Sequence, residues 1–270
     1  MKLTFPKKIE VRNSKLYGRG VFAKENIMKG EVLEDCHVIS FNITKHPLDE
    51  VILNNYIYKF GNSSQDYNIV FGMGSIYNSS VGSQRKYNVE FSYNKELSYV
   101  RFVANRDIVK DEELFLCYNS PTMAKKIEKK NKNNFQEMKL FLNSKIEVRD
   151  SNIAGRGVFA TEDIKFGEVL EECHHAVLDL QFKKLQQKIK EYVFTWPYKK
   201  SENDERQSYS SLVFGTGSIY NHSKNNNADW VVDKNRNVFC FFAKQNIKKG
   251  DEICTNYGEG YIKYVGTELK

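Results

Sequence analysis

Ile146-Glu147-Val148-Arg149-Asp150-Ser151-Asn152-Ile153-Ala154-Gly155-Arg156-Gly157-Val158-Phe159-Ala160 decides how the chain is built, because it has already occurred once. Residues Ile9 to Ala23 match it at 11 of 15 positions, with Gly18-Arg19-Gly20-Val21-Phe22-Ala23 repeated without change. The correspondence continues outward. Gly30-Glu31-Val32-Leu33-Glu34 returns as Gly167-Glu168-Val169-Leu170-Glu171, and each copy reaches Cys-His two residues later, at Cys36-His37 and Cys173-His174. Phe71 to Ser80 returns as Phe214 to Ser223, and Ile108 to Tyr118 as Ile247 to Tyr257. A period of about 140 residues is far longer than a solenoid repeat and close to the size of a domain. The chain is therefore a tandem duplication: copy one over residues 1–120, a connector over 121–145, and copy two over 146–270.

Charge divides along the same lines. The chain of 270 residues has a formal net charge of +7, made of +2 in copy one, +5 in the connector and zero in copy two. The excess is a property of a lysine-rich connector, so nucleic acid is not required as a partner. Its core, Met123 to Leu142, has the composition of a solvated helix. No apolar run approaches the ~18 residues that cross a bilayer, and the amino-terminal residues lack the apolar stretch of a secretory signal. Five separated cysteines, Cys36, Cys117, Cys173, Cys240 and Cys254, argue for a reducing, intracellular setting, nuclear or cytoplasmic. With 32 Lys against nine Arg, and 26 Asn, the composition points to a microbe, a protist or a large virus as the source.

Each copy reads as mainly β with minor α. Ile146-Glu147-Val148-Arg149 alternates with the period of a strand, and Gly155-Arg156-Gly157 bends the chain tightly before Val158-Phe159-Ala160. Asp233 to Asn237 separates two apolar runs as a hairpin turn would. Leu178, Phe182, Leu185 and Ile189 have helical spacing and predict a short helix from Leu178 to Glu191.

Three blocks of copy two, in this order, carry a family resemblance: Gly155-Arg156-Gly157-Val158-Phe159-Ala160, Asn221-His222-Ser223, and Glu252-Ile253-Cys254-Thr255-Asn256-Tyr257-Gly258. Together they resemble the SET domain, the family of S-adenosylmethionine-dependent protein-lysine methyltransferases. The resemblance covers nearly all of copy two and, more weakly, copy one. It implies two SET-type folds of several small twisted sheets with a knot-like carboxy-terminal segment, arranged as a pseudo-dimer within a monomer. The family's zinc-binding cysteines are missing, so no metal is expected, and the chain is most similar to the small, stand-alone, zinc-free SET proteins of microbes and viruses.

The resemblance also assigns residues. Gly155, Arg156, Gly157, Asn221 and His222 would hold the cofactor, with Tyr261 and Tyr264 as a lid over its adenine. Tyr257 would be the catalytic tyrosine, with Tyr220 beside it. Tyr192, Phe194, Trp196, Tyr220 and Trp230 would line a lysine channel, where aromatic faces disfavour the ammonium proton and tolerate methylated nitrogen. Thr255 is small enough to leave room for higher methylation. In copy one Gly18, Gly20, Asn78 and Tyr118 remain, but Ser79 stands where copy two has His222 and Asn119 follows Tyr118, so this copy reads as decayed. The expected partner is a protein presenting a lysine, a histone-like tail above all. Two rivals stay open: an inert module that binds lysine peptides, and a basic chromatin-associated protein.

Overall fold

The computed structural model describes residues 1–42, 52–59, 66–80, 86–118, 138–185, 187–199, 202–203, 205, 208–259 and 261. It is mainly β and falls into two compact units. One comprises Thr4–Ser40 and Asn55–Phe141, the other Met1–Leu3, Phe41–Asn54 and Leu142–Lys270. The first three residues thus belong with copy two: the Leu3 amide donates to the Val148 carbonyl at 2.9 Å, and the terminal amine pairs with Asp150.

In the copy-one unit, β1 (Ile9–Asn13) and β2 (Arg19–Ala23) form a hairpin. β3 (Val32–Asn42), β4 (Ile57–Tyr58) and β5 (Asp66–Val70) follow, then β6 (Asn78–Ser79), β7 (Val89–Asn94), β8 (Tyr99–Ala104) and β9 (Glu113–Leu116). The sheets run β1-β2-β9-β6 and β4-β5-β3-β8-β7. The copy-two unit repeats this plan with β10 (Ile146–Asp150), β11 (Arg156–Ala160), β12 (Val169–Cys173), β13 (His175–Val177), β14 (Val193–Trp196), β15 (Tyr209–Val213), β16 (Asn221–His222), β17 (Ala228–Asp233), β18 (Val238–Ala243) and β19 (Glu252–Thr255). Its sheets are β10-β11-β19-β16, β12-β18-β17 and β13-β15-β14.

The order β10-β11-β19-β16 positions the site. The final strand enters between the glycine hairpin and the Asn221-His222 segment, antiparallel to β11 and parallel to β16. Residues distant in sequence are thereby drawn to one edge. The core beneath is apolar, with Ile146, Val158, Leu170, Leu212, Phe239, Phe241 and Ile253 at most 1% exposed.

One helical expectation is revised, and a second lies mostly outside the described residues. The Leu178 to Glu191 stretch is a single 3-10 turn (Phe182–Lys184) and a one-turn helix α1 (Gln187–Lys190), because Leu185 between them is extended at ψ 149°. Leu178, Leu185 and Ile189 still cover the core. In the connector, residues 123–137 lie outside the described residues, while 138–142 are extended: the Leu140 amide donates to the Val11 carbonyl at 2.9 Å.

Candidate active site

A clasp holds the site together. Asn221 Nδ2 reaches the Ala154 carbonyl at 3.1 Å, the Arg156 carbonyl at 3.2 Å and Glu252 Oε1 at 2.7 Å. Ser151 Oγ donates to the same carboxylate at 2.8 Å. Gly157 has to be glycine for this reason: a Cβ there would lie 2.2 Å from Glu252 Oε1. Gly155 differs. Its φ of +47° is left-handed, and nothing lies within 4 Å of where a side chain would start.

Next to the clasp sits Tyr257. Its hydroxyl donates to the Tyr220 carbonyl at 2.5 Å, and its amide donates to His222 Nδ1 at 3.1 Å. The second bond requires a neutral His222 with Nδ1 bare, and burial together with Lys224 lowers the pKa of this imidazole. Burial raises the Tyr257 phenol well above its usual range, with Tyr261 and Tyr192 adding to the effect. Tyr261 meets Tyr257 edge to face at 4.6 Å and donates its hydroxyl to the Glu191 carbonyl at 3.3 Å.

Beyond Tyr257 opens a cavity of about 630 Å³, lined by Tyr192, Phe194, Tyr220, Trp230, Tyr257 and Tyr261, with Thr195, Ser218 and Asn256 among its polar groups. Phe194 packs edge to face on Trp230 at 5.5 Å and on Phe241 at 5.8 Å, and Phe241 stacks on Tyr220 at 5.0 Å. Burial pushes the Tyr192 phenol up to about 12, while Arg156 of the glycine hairpin pulls against that rise. The cavity wall is mainly rings and protonated phenols, which offer hydrogen bonds without charge, with Lys183 and Glu191 the charged residues of its lining.

A family model for the SET domain matches residues 18–119 and 155–258. The chain belongs to the SET domain family. It is 30% identical over 125 residues to a Schizosaccharomyces pombe protein named histone-lysine N-methyltransferase, H3 lysine-37 specific, a match spanning 44% of this chain and 76% of that relative. A crystal structure of a Plasmodium falciparum protein described as a candidate histone methyltransferase is 30% identical, with 44% of this chain and 96% of the other covered at a TM-score of 0.35. The SET family is one of protein-lysine methyltransferases, and both copies of this enzyme fall within the match.

Of the expected site residues, Tyr257 and Tyr261 line the cavity with His222 against the Tyr257 ring, and Tyr192, Phe194, Tyr220 and Trp230 form its wall; Gly155 and Arg156 belong to the glycine hairpin, and Arg156 acts on the Tyr192 phenol. Four stand elsewhere. Asn221 turns its amide into the clasp, and Gly157 is packed against Glu252 in the same clasp. Trp196, two residues beyond Phe194 on β14, is 6% exposed, stacks on His175 at 4.4 Å and is not part of the cavity lining. Thr255 is 1% exposed and off the lining, with no hydrogen-bond partner for Oγ1 among the described residues. Tyr264 lies outside the described residues. Among those residues no cluster of His, Cys, Asp or Glu could hold a metal, and no helix is long and apolar enough to cross a membrane.

Sequence reasoning missed Ser151, Glu252 and Glu171. Glu171 is 5% exposed beneath the cavity wall, where its Oε2 accepts the Thr216 amide at 2.9 Å and the Thr216 hydroxyl. A signal existed: all three recur in copy one, as Ser14, Glu113 and Glu34.

An adenosyl sulfonium cofactor fits what is present. Gly155 leaves an open left-handed backbone face, and the contacting rings of His222, Tyr257 and Tyr261 offer an aromatic surface of the kind an adenine needs.

Proposed function

We propose that copy two transfers a methyl group from S-adenosylmethionine to the side-chain amine of a lysine in a protein, a histone tail being the substrate class. The methyltransferase relative named for histone H3 supports that class, and such a substrate sets the enzyme to work in the nucleus. The observation that carries the reading is the Tyr257 hydroxyl. It is pinned to the Tyr220 carbonyl, and both residues line an aromatic cavity.

Gly155, His222, Tyr257 and Tyr261 would hold the cofactor, which supplies an electrophilic methyl group when bound. The chain's own contribution is alignment and dryness. Tyr192, Phe194, Tyr220 and Trp230 accept the aliphatic stem of a lysine and exclude water. Removal from water disfavours the ammonium form, and the amine that reacts must be neutral. The Tyr257 and Tyr220 backbone-anchored geometry sets the direction from which the amine arrives. Because the Tyr257 phenol stays protonated at neutral pH, it orients by donating and does not act as a base. The substrate segment adds along β14, an edge strand of its sheet whose residues 193–195 line the cavity.

Tyr257→Phe tests the reading, with labelled S-adenosylmethionine, a histone panel and mass spectrometry of the products. Removing a hydrogen bond of about 1.4 kcal/mol that acts on alignment lowers turnover about tenfold or more, with cofactor affinity little changed. Full turnover in this variant refutes the role of Tyr257. Cofactor binding with no methyl transfer by the wild type leaves an inert lysine-binding module.

A further inference from the structure

Copy one looks spent in sequence because Ser79 replaces the histidine of the Asn-His turn. Its geometry is not spent. In copy two the Tyr257 amide donates to His222 Nδ1 at 3.1 Å; in copy one the Tyr118 amide donates to Ser79 Oγ at 3.2 Å. The serine restores the bond that the histidine made.

The rest of the edge is reproduced as closely. Asn78 Nδ2 reaches the Tyr17 carbonyl at 3.2 Å, the Arg19 carbonyl at 3.1 Å and Glu113 Oε1 at 2.8 Å. The Tyr118 hydroxyl donates to the Tyr77 carbonyl, as Tyr257 does to Tyr220. Gly18 has φ +50°, against +47° at Gly155. Arg19 acts on the Tyr56 phenol as Arg156 does on Tyr192. Even the aromatic wall returns with other residues. Tyr58 meets Phe91 edge to face at 5.4 Å where Phe194 meets Trp230 at 5.5 Å, and Tyr77 stacks on Phe102 at 5.0 Å as Tyr220 does on Phe241.

We propose that copy one is a second cofactor-binding site, formed by the Gly18–Gly20 hairpin, the Asn78-Ser79 turn and Tyr118, so that each chain binds two molecules of S-adenosylmethionine. The inference rests on the reading of copy two as a cofactor site. A remnant kept for packing needs the apolar core and the clasp. It has no need of a half-buried Tyr118 tied at both its hydroxyl and its amide, or of a serine that replaces a lost acceptor.

What copy one has changed is the channel. Tyr58 carries a hydroxyl where copy two has Phe194, and donates it to the Gly74 carbonyl inside the wall. That hydroxyl adds a hydrogen-bonded polar group where copy two has a bare ring. Copy one therefore holds cofactor without matching the turnover of copy two.

The test is stoichiometric and needs no activity. The full chain is titrated with S-adenosylhomocysteine by calorimetry, and separately cross-linked to labelled S-adenosylmethionine by ultraviolet light, followed by peptide mapping. Two equivalents, with label in peptides of both copies, are expected. One equivalent with label confined to copy two overturns the inference and leaves the reading of copy two standing. One equivalent confined to copy one keeps the inference and overturns that reading. No binding overturns both.

Discussion

Glu171→Gln isolates a buried acid that the fold turns inward. The register of β12 against β18 shifts between Val169 and Glu171, so two consecutive side chains, Leu170 and Glu171, face the interior. Burial raises the Glu171 carboxyl from 4.5 to about 7, with the Thr216 bonds opposing the rise. The unfolded chain releases this proton near 4.5, and the folded chain keeps it until about 7. Through that window the native state holds more protons, so stability falls as pH rises, by about 1.4 kcal/mol per pH unit at most and about 3 kcal/mol in total. The loss is complete above the folded pKa. Glutamine has nothing to release, so its stability curve lacks this fall, whatever its intercept. Urea unfolding followed by tryptophan fluorescence between pH 5 and pH 8 reads the effect in the right unit, because the chain's two tryptophans, Trp196 and Trp230, both lie in copy two. His222 has its pKa lowered and contributes the opposite slope, and Glu168, lowered to about 2, has its pH-dependent range below this window. Both are present in wild type and variant, so the difference belongs to Glu171. Parallel curves from pH 5 to pH 8 would refute the burial argument.

Two further outcomes follow from the clasp and the turn. His222 must be neutral to accept the Tyr257 amide, so kcat/KM should fall on an acid limb below 6.5. His222→Ser, which imitates Ser79, should abolish that limb, while His222→Ala should lower kcat/KM by about 1–3 kcal/mol equivalent because a buried donor loses its acceptor; persistence of the limb in the serine variant sinks the argument. Gly157→Ala puts a methyl 2.2 Å from Glu252 Oε1 and should cost about 1–3 kcal/mol in thermal unfolding. A Gly157→Ala variant with an unchanged melting temperature means that the clasp is not rigid.

The strands were legible because their signals are local. Ile146 to Arg149 alternates, and in β10 Ile146 and Val148 are buried while Glu147 and Arg149 are half-buried. The hairpin at Asp233 forms as its turn residues predict, with Asn237 at φ 54° and the Arg236 amide donating to Asp233 Oδ1 at 3.0 Å. Helical spacing over Leu178 to Ile189 misled, since those residues need only face the core, and two short turns achieve that. Trp196 misled because a buried aromatic ring on the same face of β14 as Phe194 can be spent on packing, here against His175 and Phe239. The inward turn of Glu171 was illegible, because a bulge is a property of the paired strand, and no single-strand pattern announces it.

Comparison between the copies separates two kinds of residue that one sequence motif mixes. Ser14 and Ser151, Gly20 and Gly157, Asn78 and Asn221, and Glu113 and Glu252 are identical pairs, and all serve the clasp. Ser79 and His222, Tyr58 and Phe194, and Phe91 and Trp230 differ, and they belong to the turn and the wall. The asparagine of the Asn-His turn therefore marks the fold, because its amide draws the hairpin and the final strand together. The residue after it marks the site, and there the requirement is an acceptor for the following tyrosine's amide, which an imidazole or a hydroxyl can meet. A copy with serine at that position has changed its chemistry without giving up its geometry.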